Sequence, residues 1–378
     1  HVLVDERSAA FFALGMARRH NTPVGLICTS GSAPANWYPA IVEARHSFVP
    51  LVLLTADRPW ELQSCGANQT IDQIKLFGDQ VNSFHALPPA EASPASLARL
   101  HALGRQAVNE SLWPAAGPVH INMPFREPLV PAHCSLDVPE VEVSLPAMPR
   151  ISMDERQLLA LVKSMSEKPG LILCGPGIQD EEFAAEVTRL AARLDCPVLA
   201  DPLSGLRYGG HDKTRVVSHY SLFLAADKLI ESPEWIIRFG AMPVSSALQS
   251  YLASCGGRQF VVDHRGRWPD PLNQSAQVLR VNPAVLCAQL GSMDLQPARS
   301  AWCNTWLGLE KRCEQQLNSG GLELPPEASL VRQLVSGLPD GSLLFSGNSL
   351  AIRYLDGYSG RVDRKLEVAG NRGASGID

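Results

Sequence analysis

Short apolar runs alternate with stretches of helical period through the first 130 residues. Residues 1–4, 24–29, 51–55 and 119–122 read as strands, and 8–19, 34–45 and 94–109 as helices. The strands show little alternation, and helices separate them. That is the pattern of a parallel sheet covered on both faces. In the first helix Phe11 and Leu14, and Phe12 and Met16, fall at three- and four-residue spacing, while Arg18, Arg19 and His20 load the end where the helix dipole favours cations. At the start of that helix Asp5 and Glu6 stand side by side, and in an extended segment they would face opposite ways.

From Glu127 to Arg150 the chain is rich in Pro and aperiodic, which predicts a surface linker. A second α/β unit follows: strands at 170–174, 197–201, 235–239 and 259–263, helices at 183–194 and 246–253, and the loop "GPGIQDEE" after the first strand. The pattern is Rossmann-like. A further break, "GLELPPEAS" at 321–329, precedes a helix at 330–337, a strand at 342–346 and a helix at 350–354. The expected division is therefore 1–130, a linker 131–150, a central unit 151–320 and the beginning of a third unit, 325–378. There is no internal repeat.

Composition narrows the function. Hydrophobic residues make up 45% and charged ones 19% of 378 residues, as in ordinary globular proteins. A formal net charge of -5 argues against nucleic acid or an anionic membrane as main partner. No apolar run reaches the roughly 18 residues of a spanning helix, so no stable membrane insertion is expected. The nine cysteines include no CxxC pair and no Cys/His grouping of zinc-ligand spacing, which indicates neither zinc site nor disulfide framework. Cys28 and Cys174, inside apolar strands, read as small hydrophobes, and a reducing cytoplasm suits the set. There is no initiator Met, and the chain stops at Asp378 just as a motif begins, so a longer protein is expected.

In open α/β sheets ligands bind outside the carboxyl ends of the strands, so the chemistry is sought in the loops there. Asp5 and Glu6 are either two helix-start carboxylates or one cap and one group facing a crevice. "TSGSA" can aim main-chain N–H groups at a ligand, with Ser32 as an N-cap, or be an ordinary strand-to-helix turn. Arg58 either pairs with Asp57 or binds a carboxylate with its guanidinium. Asn68 and Gln69 suit a turn or a substrate contact. Ser349 and Arg353, one helical turn apart, would make a buried pair suited to an anion, or leave a surface Arg. "GPGI" carries only two glycines of a dinucleotide fingerprint, with Asp180, Glu181 and Glu182 beside it to repel a diphosphate.

Taken together, "VDERSAAFFALG", "CTSGSAPANWYPAIVEA", "LLTADRPWELQSCGANQTI", "GPVHINMPFREPL", "FSGNSLAIRYLD" and "NRGASGID" closely resemble, in the same order, the MenD family. Its members are the thiamine-diphosphate-dependent 2-succinyl-5-enolpyruvyl-6-hydroxy-3-cyclohexene-1-carboxylate synthases of menaquinone biosynthesis. The resemblance runs from the first residue to the last.

The resemblance implies a transferase of thiamine-diphosphate enzyme architecture: a pyrimidine-binding domain (here without its first strand), a central domain without cofactor and a diphosphate-binding domain. It implies decarboxylation of 2-oxoglutarate and 1,4-addition of the succinyl-semialdehyde carbanion to isochorismate. It also implies Mg(II) or Mn(II) on the diphosphate, with ligands beyond Asp378 and none within the chain, and a homodimer or homotetramer with the site formed between protomers. By the same resemblance Glu6 would hydrogen-bond the aminopyrimidine, enclosed and with a perturbed pKa, and leave Asp5 structural. Thr29, Ser30 and Gly31 would lie beside the pyrimidine, with Ser375, Gly376 and Ile377 also at the cofactor and Ile377 as an apolar wedge. Gln69 would be catalytic with Glu6, and Arg58, Asn68, Ser349, Arg353 and Arg372 would hold substrate.

Two departures stand out. Ser245 and Ser246, in "RFGAMPVSSALQ", occupy positions where the family commonly presents a basic residue. The family's first strand with its "GSRS" loop, and its downstream GDG motif, lie outside this sequence. Two alternatives remain open: another thiamine-diphosphate 2-oxoacid lyase or synthase, or a catalytically silent scaffold that keeps the fold.

Overall fold

The computed structural model describes residues 1–91, 93–130, 147–177, 182–226, 230–298, 301–319 and 323–375. The chain divides into two compact units, His1–Pro149 with Arg372–Ser375, and Arg150–Asn371. The first contains α1 (Glu6–His20), β1 (Val24–Cys28), α2 (Tyr38–Ser47), β2 (Leu51–Asp57), β3 (Ser83–Ala86), α3 (Pro94–Leu112) and β4 (Pro118–Pro124). The second contains α4 (Glu155–Met165), β5 (Gly170–Cys174), α5 (Phe183–Leu194), β6 (Val198–Ala200), β7 (Val216–Val217), α6 (Tyr220–Ala226), β8 (Trp235–Phe239), α7 (Ser246–Ser254), β9 (Arg258–Val262), β10 (Ser275–Leu279), α8 (Pro283–Ser292), α9 (Trp302–Asn318), α10 (Pro326–Gly337), β11 (Leu343–Phe345), α11 (Leu350–Tyr358) and β12 (Glu367–Ala369). All strand pairs are parallel.

In the first unit the strand order is β1-β2-β4-β3. Leu51 and Leu53 of β2 pack toward α1 and α2, together with Ala10, Leu14, Trp37 and Ile41. On the opposite face Val52 and Leu54 meet Leu103 and Ala107 of α3. The buried stripe of α1 is Ala10, Ala13, Leu14 and Ala17, small enough for close approach to the sheet, and Phe12 is largely outside it at 43% exposure.

Residues 1–4, expected to form a strand, do not. Val2 and Val4 are 98% and 99% exposed, and β1 is the edge of the sheet. An apolar run becomes a strand only where a neighbouring strand takes its hydrogen bonds, and these four residues have none among the described residues. The helix expected from Pro34 begins instead as a 3-10 turn, Pro34–Trp37, and its N-cap is Ala33, so Ser32 does not cap it with its side chain.

The second unit has the order β10-β9-β8-β5-β6-β7. The chain leaves β5 toward β6 and returns on its other side as β8, so the direction of winding reverses between β5 and β8, where such sheets hold ligands. Here that position is filled by main chain. Gly175 N donates to Phe239 O at 2.8 Å and Ala241 N to Pro176 O at 2.9 Å. A Cβ on Gly175 would fall 1.7 Å from Ala241 O, and one on Gly240 2.5 Å from Pro176 O. The residues after Gly177 in the "GPGI" loop up to Glu181 lie outside the described residues, and Glu182 pairs with Arg150.

A buried ion pair holds α11. Arg207 Nη2 donates to Asp356 Oδ1 at 2.7 Å, its Nη1 to Asp356 O at 2.7 Å and its Nε to Ala200 O at 2.7 Å, while Tyr220 Oη donates to Asp356 Oδ1 at 2.8 Å. Every acceptor here is matched by a donor, the condition under which a charge is tolerable in a core.

Gly170 shows the tightness of this core. Trp302 Nε1 donates to its carbonyl at 2.7 Å, and a Cβ on it would fall 1.8 Å from the Trp235 indole, itself anchored by Nε1 to Met165 O at 3.0 Å. Gly170→Ala should therefore destabilise the second unit by about 3 kcal/mol, the upper range for overpacking, as measured by denaturant unfolding.

Candidate functional site

The carboxyl end of the first sheet carries the candidate residues. Asp5 is the N-cap of α1 and accepts from Ser8 N at 2.7 Å, which fixes it as structural; Glu6 is the first helical residue. The Glu6 carboxylate is half-buried rather than enclosed, because the helix N-terminus opens toward solvent, and it makes no hydrogen bond or ion pair among the described residues. It lies near the Cys28 thiol at the end of β1: burial, with the Glu6 charge added, pushes that thiol up to about 12. A carboxylate at a helix N-terminus is favoured by the dipole yet remains available to a ligand.

The loop after β1 is locked rather than open. Gln69 Nε2 donates to Thr29 Oγ1 and to Ser30 O, both at 3.1 Å, and Ser30 Oγ donates back to Gln69 O at 2.9 Å. Gly31 has φ +80, and a Cβ on it would stand 2.9 Å from Gln69 Cγ. Its N–H donates to Gln73 Oε1 at 3.0 Å. The loop therefore does not offer that N–H to an anion, contrary to one reading of "TSGSA". Gln69 itself sits in the left-handed region at φ 54, which places its side chain across the loop.

Gln73 begins a buried chain of polar groups that sequence reasoning missed. Its Nε2 donates to Ala56 O at 3.0 Å and to Asn122 Oδ1 at 2.9 Å. Asn122 Nδ2 donates to Asp57 Oδ2 at 2.7 Å, and Asp57 Oδ1 accepts the Arg58 N–H at 2.7 Å. Thr55 Oγ1 donates to Asn122 Oδ1 at 2.7 Å and lies 2.8 Å from His120 Nε2. Since that hydroxyl has spent its proton on Asn122, His120 must carry hydrogen on Nε2, which leaves Nδ1 bare; it is buried without a partner among the described residues. The register Thr55↔Asn122 puts these groups on the face of Leu51 and Leu53. A signal existed: His120 and Asn122 alternate with apolar residues in a strand that is otherwise core.

Asp57 thus binds the main chain of Arg58 and not its guanidinium, so the expected Asp57–Arg58 side-chain pair is not formed. Asn68 is exposed and, among the described residues, only its carbonyl is used, by Thr70 Oγ1 at 3.1 Å. In the second unit Ser349 and Arg353 are both exposed, so of the two readings the surface Arg is the one found and the buried pair is not formed. The buried face of α11 is Ile352, Leu355, Asp356 and Gly357, which leaves residues 349 and 353 on the other side. Ser349 stands at φ 59, ψ -123, a conformation costly for a side chain-bearing residue. In the first unit Arg372 is half-buried and Ser375 Oγ donates to its carbonyl at 3.3 Å. Gly376 and Ile377 lie outside the described residues. Ser245 caps α7 by accepting from Leu248 N at 3.2 Å.

One group among the described residues has metal-ligand composition, His219, Glu310 and Glu314, with ligand atoms within 4.8 Å. Arg361 occupies it, with Nη2 2.6 Å from Glu314 and Nε 3.8 Å from Glu310. Burial opposes ionisation of Glu310, but His219, Ser218 and Arg361 together hold its carboxyl down at about 2. It is an ion-pair cluster.

Burial pushes the His120 imidazole down to about 4 from its ordinary 6.5. The unfolded chain takes up that proton first, so stability is complete above pH 6.5 and falls as pH drops toward 4, by on the order of 3 kcal/mol. Denaturant unfolding across this range should show the loss, and His120→Gln, which keeps a donor for Thr55, should flatten it.

Comparison with known proteins fits these elements. Residues 1–76 match the N-terminal TPP binding domain of thiamine pyrophosphate enzymes, and residues 150–346 the middle domain of thiamine pyrophosphate. The chain is 41% identical to the 2-succinyl-5-enolpyruvyl-6-hydroxy-3-cyclohexene-1-carboxylate synthase of Dechloromonas aromatica over 100% of its own length and 69% of that protein. It is 40% identical to the synthase of the same name from Bacillus velezensis, over 100% of the chain and 67% of that protein. For the one from Haloarcula marismortui the identity is 38%, over 99% and 67%. With identity at this level along its whole length, the chain belongs to the family of thiamine-diphosphate-dependent 2-succinyl-5-enolpyruvyl-6-hydroxy-3-cyclohexene-1-carboxylate synthases.

Proposed function

We propose that this chain is the greater part of a cytoplasmic enzyme of menaquinone biosynthesis. The enzyme joins a four-carbon unit from decarboxylated 2-oxoglutarate to isochorismate, giving 2-succinyl-5-enolpyruvyl-6-hydroxy-3-cyclohexene-1-carboxylate. The observation that carries the reading is Glu6: a half-buried carboxylate with no hydrogen-bond partner among the described residues, at the carboxyl end of a parallel sheet, in a chain of this family. No helix among the described residues is long and apolar enough to cross a membrane.

The donor set suits the pyrimidine end of thiamine diphosphate. An unpaired carboxylate can share a proton with a ring nitrogen, and the wall beside it, Cys28, is held protonated and apolar. When bound, the cofactor supplies the carbon centre that takes up the 2-oxoacid and releases carbon dioxide. Glu6 holds a proton at the aminopyrimidine. Thr29, Ser30 and Gly31, braced by Gln69 and Gln73, form a rigid edge for the ring, and Ser375, Gly376 and Ile377 line the cofactor further on. Gln69 joins Glu6 as a catalytic group. Arg58, Asn68, Ser349, Arg353 and Arg372 receive the substrates, whose several carboxylates need fixed cations.

By this reading residues 1–130 are the pyrimidine-binding domain, 151–320 the central domain and 325–378 the beginning of the diphosphate-binding domain. Mg(II) or Mn(II) is held by residues beyond Asp378, and the working unit is a homodimer or homotetramer.

The full-length protein, assayed with thiamine diphosphate, magnesium, 2-oxoglutarate and isochorismate, should form the adduct. Carbon dioxide release without adduct would point to a different 2-oxoacid lyase, and no turnover at all to a silent scaffold. Glu6→Gln should lower kcat by at least about 100-fold, the scale of a lost proton-transfer group, with the thermal midpoint unchanged; near-normal turnover would remove Glu6 from this role.

A further inference from the structure

Glu43 lies on α2 with its side chain buried, 4% exposed, and it belongs to none of the groups assigned above. Four donors converge on its carboxylate. Arg18 Nη2 at 3.2 Å, Ser47 Oγ at 2.6 Å and Gly373 N at 3.0 Å reach Oε1, and Ala374 N reaches Oε2 at 2.8 Å. Arg18 comes from α1 and Ser47 from the last turn of the same helix. The other two are consecutive main-chain N–H groups of the segment immediately following Arg372.

Space as well as charge fixes this segment. A Cβ on Gly373 would fall 2.4 Å from Ser47 Oγ, 2.7 Å from Ser47 N and 2.8 Å from His46 C. Two of those atoms are backbone and cannot move aside, so the segment rests directly on the end of α2 and only glycine fits. A carboxylate receiving two successive N–H groups sets both the position and the orientation of a peptide, and charge-assisted bonds of this kind are the stronger class. Removing the charge would leave the two N–H groups, only partly shielded from solvent, facing an amide that can satisfy only part of them.

We propose that Glu43 is a positioning residue for the reaction: it fixes the main chain on the carboxyl side of Arg372 and thereby sets where that guanidinium meets a substrate carboxylate. The inference rests on the reading of Arg372 as a carboxylate-binding group. Glu43 touches no reacting atom; it acts through the loop.

The test uses the full-length enzyme with thiamine diphosphate and magnesium, as wild type, Glu43→Gln and Gly373→Ala. The two variants disturb the clasp from opposite sides, so a fault in folding of either one leaves the other to decide. Steady-state kinetics are measured for 2-oxoglutarate and isochorismate separately, and hydrogen exchange is followed at residues 372–375. The expected result in both variants is faster exchange at Gly373 and Ala374 with α2 protected as in wild type. KM for one of the two substrates should rise about tenfold while kcat stays within about twofold. Unchanged exchange would overturn the clasp, and faster exchange with both KM values unchanged would overturn its role. A wild-type enzyme that converts neither substrate removes the functional reading and this inference with it, an outcome the exchange data distinguish from failure of the clasp.

Discussion

Asn122 is the group on which the arrangement of the loops at the carboxyl end of the first sheet depends. Its side chain is inside the protein at the point where β2 and β4 turn from apolar to polar, and it can be there only because its oxygen and nitrogen are both used. Through its oxygen it orients Gln73, and through Gln73 the Gly31 peptide; through its nitrogen it orients Asp57, and through Asp57 the Arg58 peptide. Two loops that follow different strands are thus tied to one amide. In a low-dielectric interior such a network is rigid when complete and costly when any member is missing, which gives the loops a single arrangement without the help of regular secondary structure.

The second unit solves a related problem with charge. Arg207 is fully enclosed and donates to Ala200, Asp356 and the carbonyls at the end of α11, so the helix that follows Ser349 is gripped at its far end. With the buried face of α11 fixed in this way, Ser349 and Arg353 are directed outward, and the strained backbone at Ser349 is sustained by a helix that cannot roll to relieve it. A surface arginine presented from a fixed helix loses less freedom on binding an anion than one on a loop.

Much of this fold is legible from apolar spacing. The strands at 170–174 and 235–239 and the helix at 183–194 coincide with the expected limits, because each is a continuous apolar run or a clear helical stripe with polar punctuation at both ends. Residues 1–4 mislead because composition alone cannot supply a pairing partner. Helix α9 escapes notice although Trp302, Trp306 and Glu310 recur at four-residue spacing, since one member of the buried stripe is an acid whose partners, His219 and Ser218, are nearly a hundred residues away. For the site, the loops after the strands were identifiable from topology and the individual residues from resemblance. Gln73 was identifiable from neither, since it lies in an aperiodic stretch and is buried only by the tertiary fold. The exposure of Ser349 and Arg353 likewise depends on which face of α11 the Arg207–Asp356 pair draws inward.

The contact between the loops after β5 and β8 bears on how this architecture can change over time. Side-chain substitutions usually reshape a binding crevice, one residue at a time. Here the crevice is shut by peptide groups, Gly175 against Ala241 and Gly240 against Pro176, with both glycines already the smallest residues available. No further trimming can open it. For a nucleotide to enter between these two loops, the loops would have to change length, a rarer event than point mutation.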